Sequence, residues 1–212
     1  MTSAVYRSAV LSLTVQVLLG VVTGIGLLIP VPAHAREDLQ PIFILELVSQ
    51  AIEFAWYALV VLRYREIVTW TRYADWFFST PTMLVSTVLF FLHRSDTDYS
   101  VFVPSGRFAM IITLNALMLA FGFAIESDAF PKGAGILLGT VMLAATFRTM
   151  ATFLPPDDGL SIGLFTTMAV VWALYGVAAA LAYAPKNIAY NLLDIVSKNF
   201  YGLFLTVYAI TL

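Results

Sequence analysis

Cysteine is absent from the 212-residue sequence, and charged residues make up only 11% of it. Without cysteine the chain can form no disulfide bond, thiolate metal site or cysteine nucleophile. The two histidines form no zinc-type cluster and there is no glycine-rich phosphate loop, so we predict neither a metal site nor an enzyme activity. The formal net charge of -2 and the lack of a basic run argue against a nucleic-acid partner.

Apolar residues dominate the sequence. The hydrophobic fraction is 60% and the mean hydropathy is +0.89. A bilayer core requires about 20 mostly apolar residues per helix. Seven stretches meet this requirement, at about 8–30, 40–62, 73–92, 107–125, 131–153, 159–184 and 188–211. The sequence therefore predicts one all-α integral membrane domain over residues 1–212, a seven-transmembrane-helix bundle whose partner is the lipid bilayer.

The first apolar stretch has a second interpretation. Arg7 precedes it, and Ala33-His34-Ala35 has the small-x-small form of a signal-peptide cleavage site. The stretch is longer than the apolar segment of a typical signal peptide, so we predict a retained first helix. Positive charges are spread almost evenly between the two sets of loops, and the positive-inside rule gives only a weak preference for a cytoplasmic N-terminus.

Few ionisable residues lie inside the predicted spans. Asp75 is near the start of the third, and Asp194 and Lys198 are in the seventh. Such residues are costly in a bilayer and usually mark a function. Asp194 and Lys198 have i, i+4 spacing, which also suits a simple buried salt bridge. A lysine in a dry pocket can instead condense with an aldehyde to form a Schiff base, for which Asp75 and Asp194 would be the counter-ions.

Aromatic residues flank the predicted position of this lysine. Most of the 14% aromatic residues are expected to fill the core or face lipid. Trp76 lies on the third span, and Trp172 and Tyr175 lie on the sixth. Flat, rigid side chains at these positions suit the walls of a pocket for a long conjugated ligand.

Two motifs resemble those of a known family. Arg72-Tyr73-Ala74-Asp75-Trp76-Phe77-Phe78-Ser79-Thr80-Pro81 resembles the third-helix signature of microbial (type 1) rhodopsins, and Leu193-Asp194-Ile195-Val196-Ser197-Lys198 resembles their seventh-helix signature. The resemblance implies a covalent cofactor, all-trans retinal, held on Lys198 as a protonated Schiff base. It also implies that Asp75 and Asp194 are the counter-ions and that Arg72 is the arginine of the extracellular side.

The resemblance extends over the other spans. It implies that the retinal pocket includes Trp76, Ser79, Thr80, Asn115, Met118, Gly122, Trp172 and Tyr175. In the sixth helix the family commonly has a proline and a second tryptophan where this sequence has Gly176 and Ala179, so we expect a looser pocket at that end. The orientation of the family implies an extracellular N-terminus and a cytoplasmic C-terminus, against the weak charge count.

Polar residues on four predicted helices suggest an ion pathway. The set consists of Ser12, Gln16, Glu46, Glu53, Ser86 and Asn191. Glu46 and Glu53 are seven residues apart and therefore share one face of the second helix. This arrangement is similar to that of cation-conducting channelrhodopsins, and the short chain resembles the group 1 rhodopsins of giant algal viruses. Alternatively, these side chains only fasten neighbouring helices together, as polar residues commonly do in membranes.

Three functions remain open for a retinal photoreceptor of this kind. The polar set favours a light-gated cation channel, which needs a continuous polar lining. The alternative is a light-driven outward proton pump, but pumps of the family usually have a carboxylate eleven residues after the counter-ion, where this sequence has Ser86. A sensory photoreceptor is the third candidate, and it would have to act through lateral contacts because no partner-binding domain is seen. Cations or protons are the predicted substrates, and homo-oligomer formation is left open.

Overall fold

The computed structural model describes residues 3–64, 67–99 and 105–212. The regular structure of these residues is entirely helical, and we number the α-helices in chain order. They are α1 Ser3–Gly26, α2 Ala33–Ala58, α3 Arg72–Arg94, α4 Gly106–Glu126, α5 Lys132–Met150, α6 Gly159–Ala180, α7 Tyr183–Asp194 and α8 Phe200–Ile210. A π-helical turn, Leu59–Tyr64, follows α2, and another, Ile195–Asn199, joins α7 to α8.

These helices form seven spans. In the described residues, six continuous helical segments are long and apolar enough to cross a bilayer: Ala4–Gly26, Ala33–Arg63, Thr69–Arg94, Gly106–Glu126, Lys132–Phe153 and Gly159–Ala180. The seventh runs from α7 through the π-helical turn into α8, and we call this segment, Tyr183–Ile210, the seventh span. The predicted seven-transmembrane-helix bundle is confirmed.

Several helix ends differ from the prediction by four residues or more. The sixth helix ends at Ala180 rather than near residue 184, and the seventh span begins at Tyr183 rather than near residue 188. The first helix ends at Gly26 rather than near residue 30, because the connection that follows contains Pro30 and Pro32. The second helix begins at Ala33 rather than near residue 40, because its charged first turns continue the helix beyond the apolar stretch. Hydropathy locates the segment suited to lipid, whereas backbone hydrogen bonds define the helix.

The third span is the most enclosed of the six continuous spans. Of its apolar window, 67% is buried inside the protein, against 17–39% for the other five continuous spans. It packs between α2 and α4. Arg72 and Asp75 are accordingly buried and are kept away from lipid, where an uncompensated charge is costly. The outer faces of the spans present large apolar side chains such as Leu18, Phe78 and Val177, as membrane helices require.

Polar side chains join four spans at one end of the bundle, which we call the His93 end. His93 Nδ1 lies 2.9 Å from Asp38 Oδ2 of α2, and its Nε2 lies 3.1 Å from the Tyr208 hydroxyl of α8. Arg94 of α3 donates two hydrogen bonds to Asp158, at 2.9 and 2.7 Å. These contacts fix α2, α3, the start of α6 and α8 relative to one another.

Asp158, at the start of α6, bonds to Ser161 of the same helix and to Arg94 of α3. It accepts a hydrogen bond from the backbone N–H of Ser161 at 3.2 Å and so caps the helix. Its hydrogen bonds from Arg94 lower the pKa of its carboxyl group below the ordinary value. Asp158→Ala should therefore reduce the free energy of unfolding by about 1 kcal/mol, and Asp158→Asn, which keeps a capping oxygen, should lose less. Thermal denaturation in detergent measures both.

The exposed neighbour Asp157 provides the matched control, because Asp157→Ala removes the same charge without a cap or a partner arginine. Since the pKa of Asp158 is lowered in the folded state, its stabilisation is present at neutral pH and decreases as the pH falls below about 4. Equal losses in the two alanine variants, or a loss that does not change with pH, would contradict this assignment.

Candidate functional site

Lys198 lies in the π-helical turn of the seventh span and is 1% exposed. Its Nζ lies 3.0 Å from Asp75 Oδ2 and 4.0 Å from Asp194 Oδ1. A third carboxylate oxygen, Glu53 Oε1, lies 3.9 Å from the same Nζ. The structure therefore brings the predicted lysine together with both predicted counter-ions. It adds Glu53, which the sequence indicated for the ion pathway alone.

Arg72 is the second buried cation of the site. It is fully buried, and its Nη1 lies 3.2 Å from Asp194 Oδ2. It also donates hydrogen bonds to the Tyr57 hydroxyl at 3.3 Å and to Asn191 Oδ1. Asp194 consequently lies between two cations, Arg72 and Lys198. We call this side of the bundle the Arg72 end.

Two tyrosine hydroxyls hold Asp194 in place. Tyr57 donates to Oδ2 at 2.7 Å and Tyr175 donates to Oδ1 at 2.6 Å. Hydrogen bonds to a carboxylate are among the stronger ones in proteins, so the carboxylate is firmly oriented. Tyr175 was predicted for the pocket wall, whereas Tyr57 was not predicted. The signal was its position four residues after Glu53, on the same face of the helix.

A cavity of about 760 Å³, counting its open mouth, lies between α3, α4, α5, α6 and the seventh span and reaches Lys198. The predicted pocket residues that line it are Trp76, Thr80, Met118, Gly122, Trp172 and Tyr175. Ser79 and Asn115 are not part of the lining, although Asn115 donates to Thr80 Oγ1 at 2.8 Å and so supports the wall.

The cavity walls near Lys198 are aromatic. Trp76 packs edge-to-face against Tyr175 and Tyr190, with ring centroids 5.4 and 5.0 Å apart. The Trp172 ring lies 6.3 Å from that of Tyr175. Rigid apolar walls with a primary amine at one end fit a long apolar molecule that carries an aldehyde.

Two glycines in the cavity wall have different surroundings. A Cβ atom on Gly122 would lie 2.6 Å from the Tyr73 ring, so only glycine lets this ring close the cavity. A Cβ atom on Gly176 would meet no atom within 4 Å. Gly176 and Ala179 both line the cavity. The open space at Gly176 agrees with the looser pocket expected at this end.

A row of buried polar side chains links α1 to α2 beside the lysine. Gln16 Nε2 donates to Glu53 Oε2 at 2.9 Å and to the backbone oxygen of Gln50 at 2.8 Å. Gln50 Nε2 donates to Glu46 Oε1 at 3.2 Å. Three predicted pathway residues are therefore neighbours. Gln50 was missed, although it lies between the two glutamates on the same face of α2.

Asn191 and Ser86 bond outside this row, and Ser12 lies one helical turn before Gln16 on α1. Asn191 belongs to the Arg72 end and also donates to Ser8 Oγ at 2.8 Å. Ser86 Oγ donates to the Tyr201 hydroxyl at 3.4 Å. Ser12 is completely buried. Side-chain hydrogen bonds thus connect the α1–α2 part of the predicted pathway and leave its two ends as separate clusters.

A seven-helix membrane bundle with a buried lysine at the end of an aromatic cavity is the architecture of a microbial rhodopsin. The family model for Bacteriorhodopsin-like protein matches residues 8–212, and the chain belongs to this family. It is an integral multi-pass membrane protein, and its cofactor is retinal, which the family binds through a Schiff base.

Individual relatives are similar over different lengths. The Bacteriorhodopsin-II-like protein of Haloquadratum walsbyi is 25% identical over 145 residues, 64% of this chain and 59% of that protein, so the chain matches less than two thirds of that relative. The crystal structure of viral rhodopsin OLPVRII has a TM-score of 0.86 at 25% identity and 98% coverage of both chains. The proton pumping rhodopsin of the alga Acetabularia acetabulum shares the fold, with a TM-score of 0.76 at 16% identity, covering 100% of this chain and 96% of its own.

Substitution of one glycine in the cavity wall and one outside it tests the shape of the pocket. Gly122→Ala should displace the Tyr73 ring, because the added Cβ would lie 2.6 Å from it. Overpacking of this kind costs about 1–3 kcal/mol, so we expect less pigment after addition of retinal and a lower melting temperature. Gly163→Ala adds the same methyl group at an exposed position of α6 outside the cavity lining, where the added Cβ would meet no atom within 4 Å, and should behave like wild type. Equal effects of the two substitutions on visible absorbance would show that this cavity is not the retinal pocket.

Proposed function

We propose that Lys198 carries the retinal and that Asp75 is the main counter-ion of the Lys198 nitrogen. The supporting geometry is the 3.0 Å contact between the two residues, the shortest of the three carboxylate contacts of this nitrogen. Bound retinal supplies absorption of visible light and a light-driven change of shape. Asp75 stabilises the positive charge on the nitrogen and is placed to accept its proton. Asp194, held by Arg72 at 3.2 Å, is the second counter-ion.

Lys198→Ala should abolish the visible absorbance that wild-type protein acquires with retinal, because the amine at the end of the cavity is removed. Lys132→Ala, which removes a lysine from the exposed start of α5, should retain it. Asp75→Asn should move the absorption maximum to longer wavelength, since a neutral side chain stabilises the charge on the nitrogen less well. Visible colour in Lys198→Ala would contradict the assignment, and an unmoved spectrum in Asp75→Asn would leave the counter-ion role to Asp194.

We further infer that the protein is a light-gated cation channel. The observation that carries this conclusion is the double contact of Glu53. Its Oε1 lies 3.9 Å from Lys198 Nζ, and its Oε2 accepts a hydrogen bond from Gln16 at 2.9 Å. A change in the position or charge of the lysine nitrogen therefore acts directly on the polar row between α1 and α2. When ionised, the carboxylates of this row create a negative potential, which favours cations over anions.

An outward proton pump is the second candidate, because Asp75 is placed to accept a proton, as a pump also requires. A pump then needs a group that returns a proton from the opposite side. The position eleven residues after Asp75 holds Ser86, whose hydroxyl bonds to Tyr201. A serine hydroxyl does not supply protons at neutral pH, so the arrangement supports a channel better. We place the Arg72 end on the extracellular side, with the N-terminus outside.

Proteoliposomes with equal ionic composition on both sides separate the two candidates. A channel moves no net charge under light until a cation gradient is imposed, and it then dissipates that gradient. Glu53→Gln should slow this dissipation severalfold while the pigment still forms, because it removes the charge next to Lys198. Glu37→Gln, on the exposed start of α2, is the matched control. A gradient built by light from equal solutions would establish a pump instead.

A further inference from the structure

Gln50 occupies the centre of the polar row. It is 3% exposed and lies on α2 four residues after Glu46 and three before Glu53. Its Nε2 donates to Glu46 Oε1 and to Thr23 Oγ1 of α1, both at 3.2 Å. Its backbone oxygen accepts from Gln16, which also bonds Glu53. Every connection between the two glutamates that we observe in the row passes through Gln50 or Gln16.

Several side-chain oxygen atoms of the row accept no hydrogen bond from a described residue. The second carboxylate oxygen of Glu46, the side-chain oxygens of Gln50 and Gln16, and Glu53 Oε1 are buried and accept no hydrogen bond from the residues described by the structure. Buried acceptors without partners are costly and rare. Amide and carboxylate oxygens are the groups that replace the hydration shell of alkali cations in channels. The chemistry of the row thus suits a monovalent cation that has lost part of its water.

The seventh span contacts Gln50 closely at Gly202. A Cβ atom on Gly202 would overlap the side-chain nitrogen of Gln50 and the hydroxyl oxygen of Thr23. Gly202 follows Lys198 by four residues, about one helical turn. Movement of the turn that carries the lysine is therefore transmitted to the Gln50 amide by direct contact. The Gln50 amide is therefore in contact with the seventh span and also belongs to the proposed cation path.

We propose that the Gln50 side chain, together with Glu46, forms the binding site at which a monovalent cation is selected during passage. The inference rests on the proposed channel function and extends it by naming the residue that determines ion preference. In the closed protein the amide nitrogen of Gln50 donates hydrogen bonds to Glu46 and Thr23. When the seventh span withdraws, the amide is released and its oxygen can coordinate the ion. The ordinary alternative is that Gln50 only fastens α1 to α2.

Reversal potentials of photocurrents, with Na⁺ on one side of a voltage-clamped membrane and K⁺ on the other, test the proposal. Gln50→Glu keeps the size of the side chain and adds a charge, so it should shift the Na⁺ to K⁺ permeability ratio and admit Ca²⁺, with photocurrents retained. Gln50→Leu removes the amide oxygen that would coordinate the ion and should reduce the photocurrent about tenfold, comparable to the loss of one polar contact to a charged group. Gln40→Leu, at an exposed position of the same helix, should change neither quantity.

Visible absorbance identifies variants that fold and bind retinal. If Gln50→Leu does not form pigment, the permeability ratio of Gln50→Glu tests the proposal by itself. A purely fastening role predicts altered melting temperature with unchanged permeability ratios in Gln50→Glu, and that result would overturn the inference while leaving the channel intact. Wild-type currents of one sign at every holding potential would instead overturn the channel itself. The two failures are therefore distinguishable in one set of recordings.

Discussion

The pairing of buried Lys198 with carboxylates from three spans is the interaction on which the rest of the structure depends. A charged amine inside a membrane bundle is tolerated only when opposite charges and hydrogen bonds surround it. Asp75 of α3 lies 3.0 Å from its nitrogen, with Glu53 of α2 and Asp194 of the seventh span at 3.9 and 4.0 Å. The positions of these three spans along their helix axes are therefore fixed relative to one another to within a fraction of a helical turn. Arg72 extends the constraint, because it neutralises the far side of Asp194.

In the proposed channel, the same pairing connects a light-driven change at Lys198 to the polar row between α1 and α2. Two contacts lead from the lysine to the row: Glu53, which bonds Gln16, and Gly202, one turn along the seventh span, which lies against the Gln50 amide. Lys198 itself belongs to a π-helical turn, and such turns often occur at functional sites. The turn ends at Asn199, three residues before Gly202, so a change in its geometry is passed along the helix to the contact with Gln50. Isomerisation beside this turn therefore has a short mechanical path to the proposed cation site.

Much of this architecture was predictable from local sequence, and the remainder was not. Apolar stretches indicate seven spans, and the resemblance of the two motifs predicts that Asp75, Asp194 and Lys198 lie together. Glu53 was predicted for the pathway from its spacing to Glu46, but its contact with Lys198 depends on the packing of α2 against the seventh span, which no local pattern encodes. Gln50 was not predicted, although it shares a face of α2 with the two glutamates, because its burial and its hydrogen bonds to Glu46 and Thr23 depend on the packing of α1 against α2. The π-helical turn likewise depends on tertiary packing rather than on helix propensity.

The central claim is that light opens a passive cation path beside Lys198. Its most direct test is the photocurrent of the retinal-loaded wild-type protein in a voltage-clamped membrane, recorded over a range of holding potentials with the external cation concentration varied. The account predicts a current that reverses sign and a reversal potential that follows the cation gradient, by about 59 mV for each tenfold change if a single monovalent cation carries it. A current that keeps one sign at all potentials would show active transport and would contradict the account.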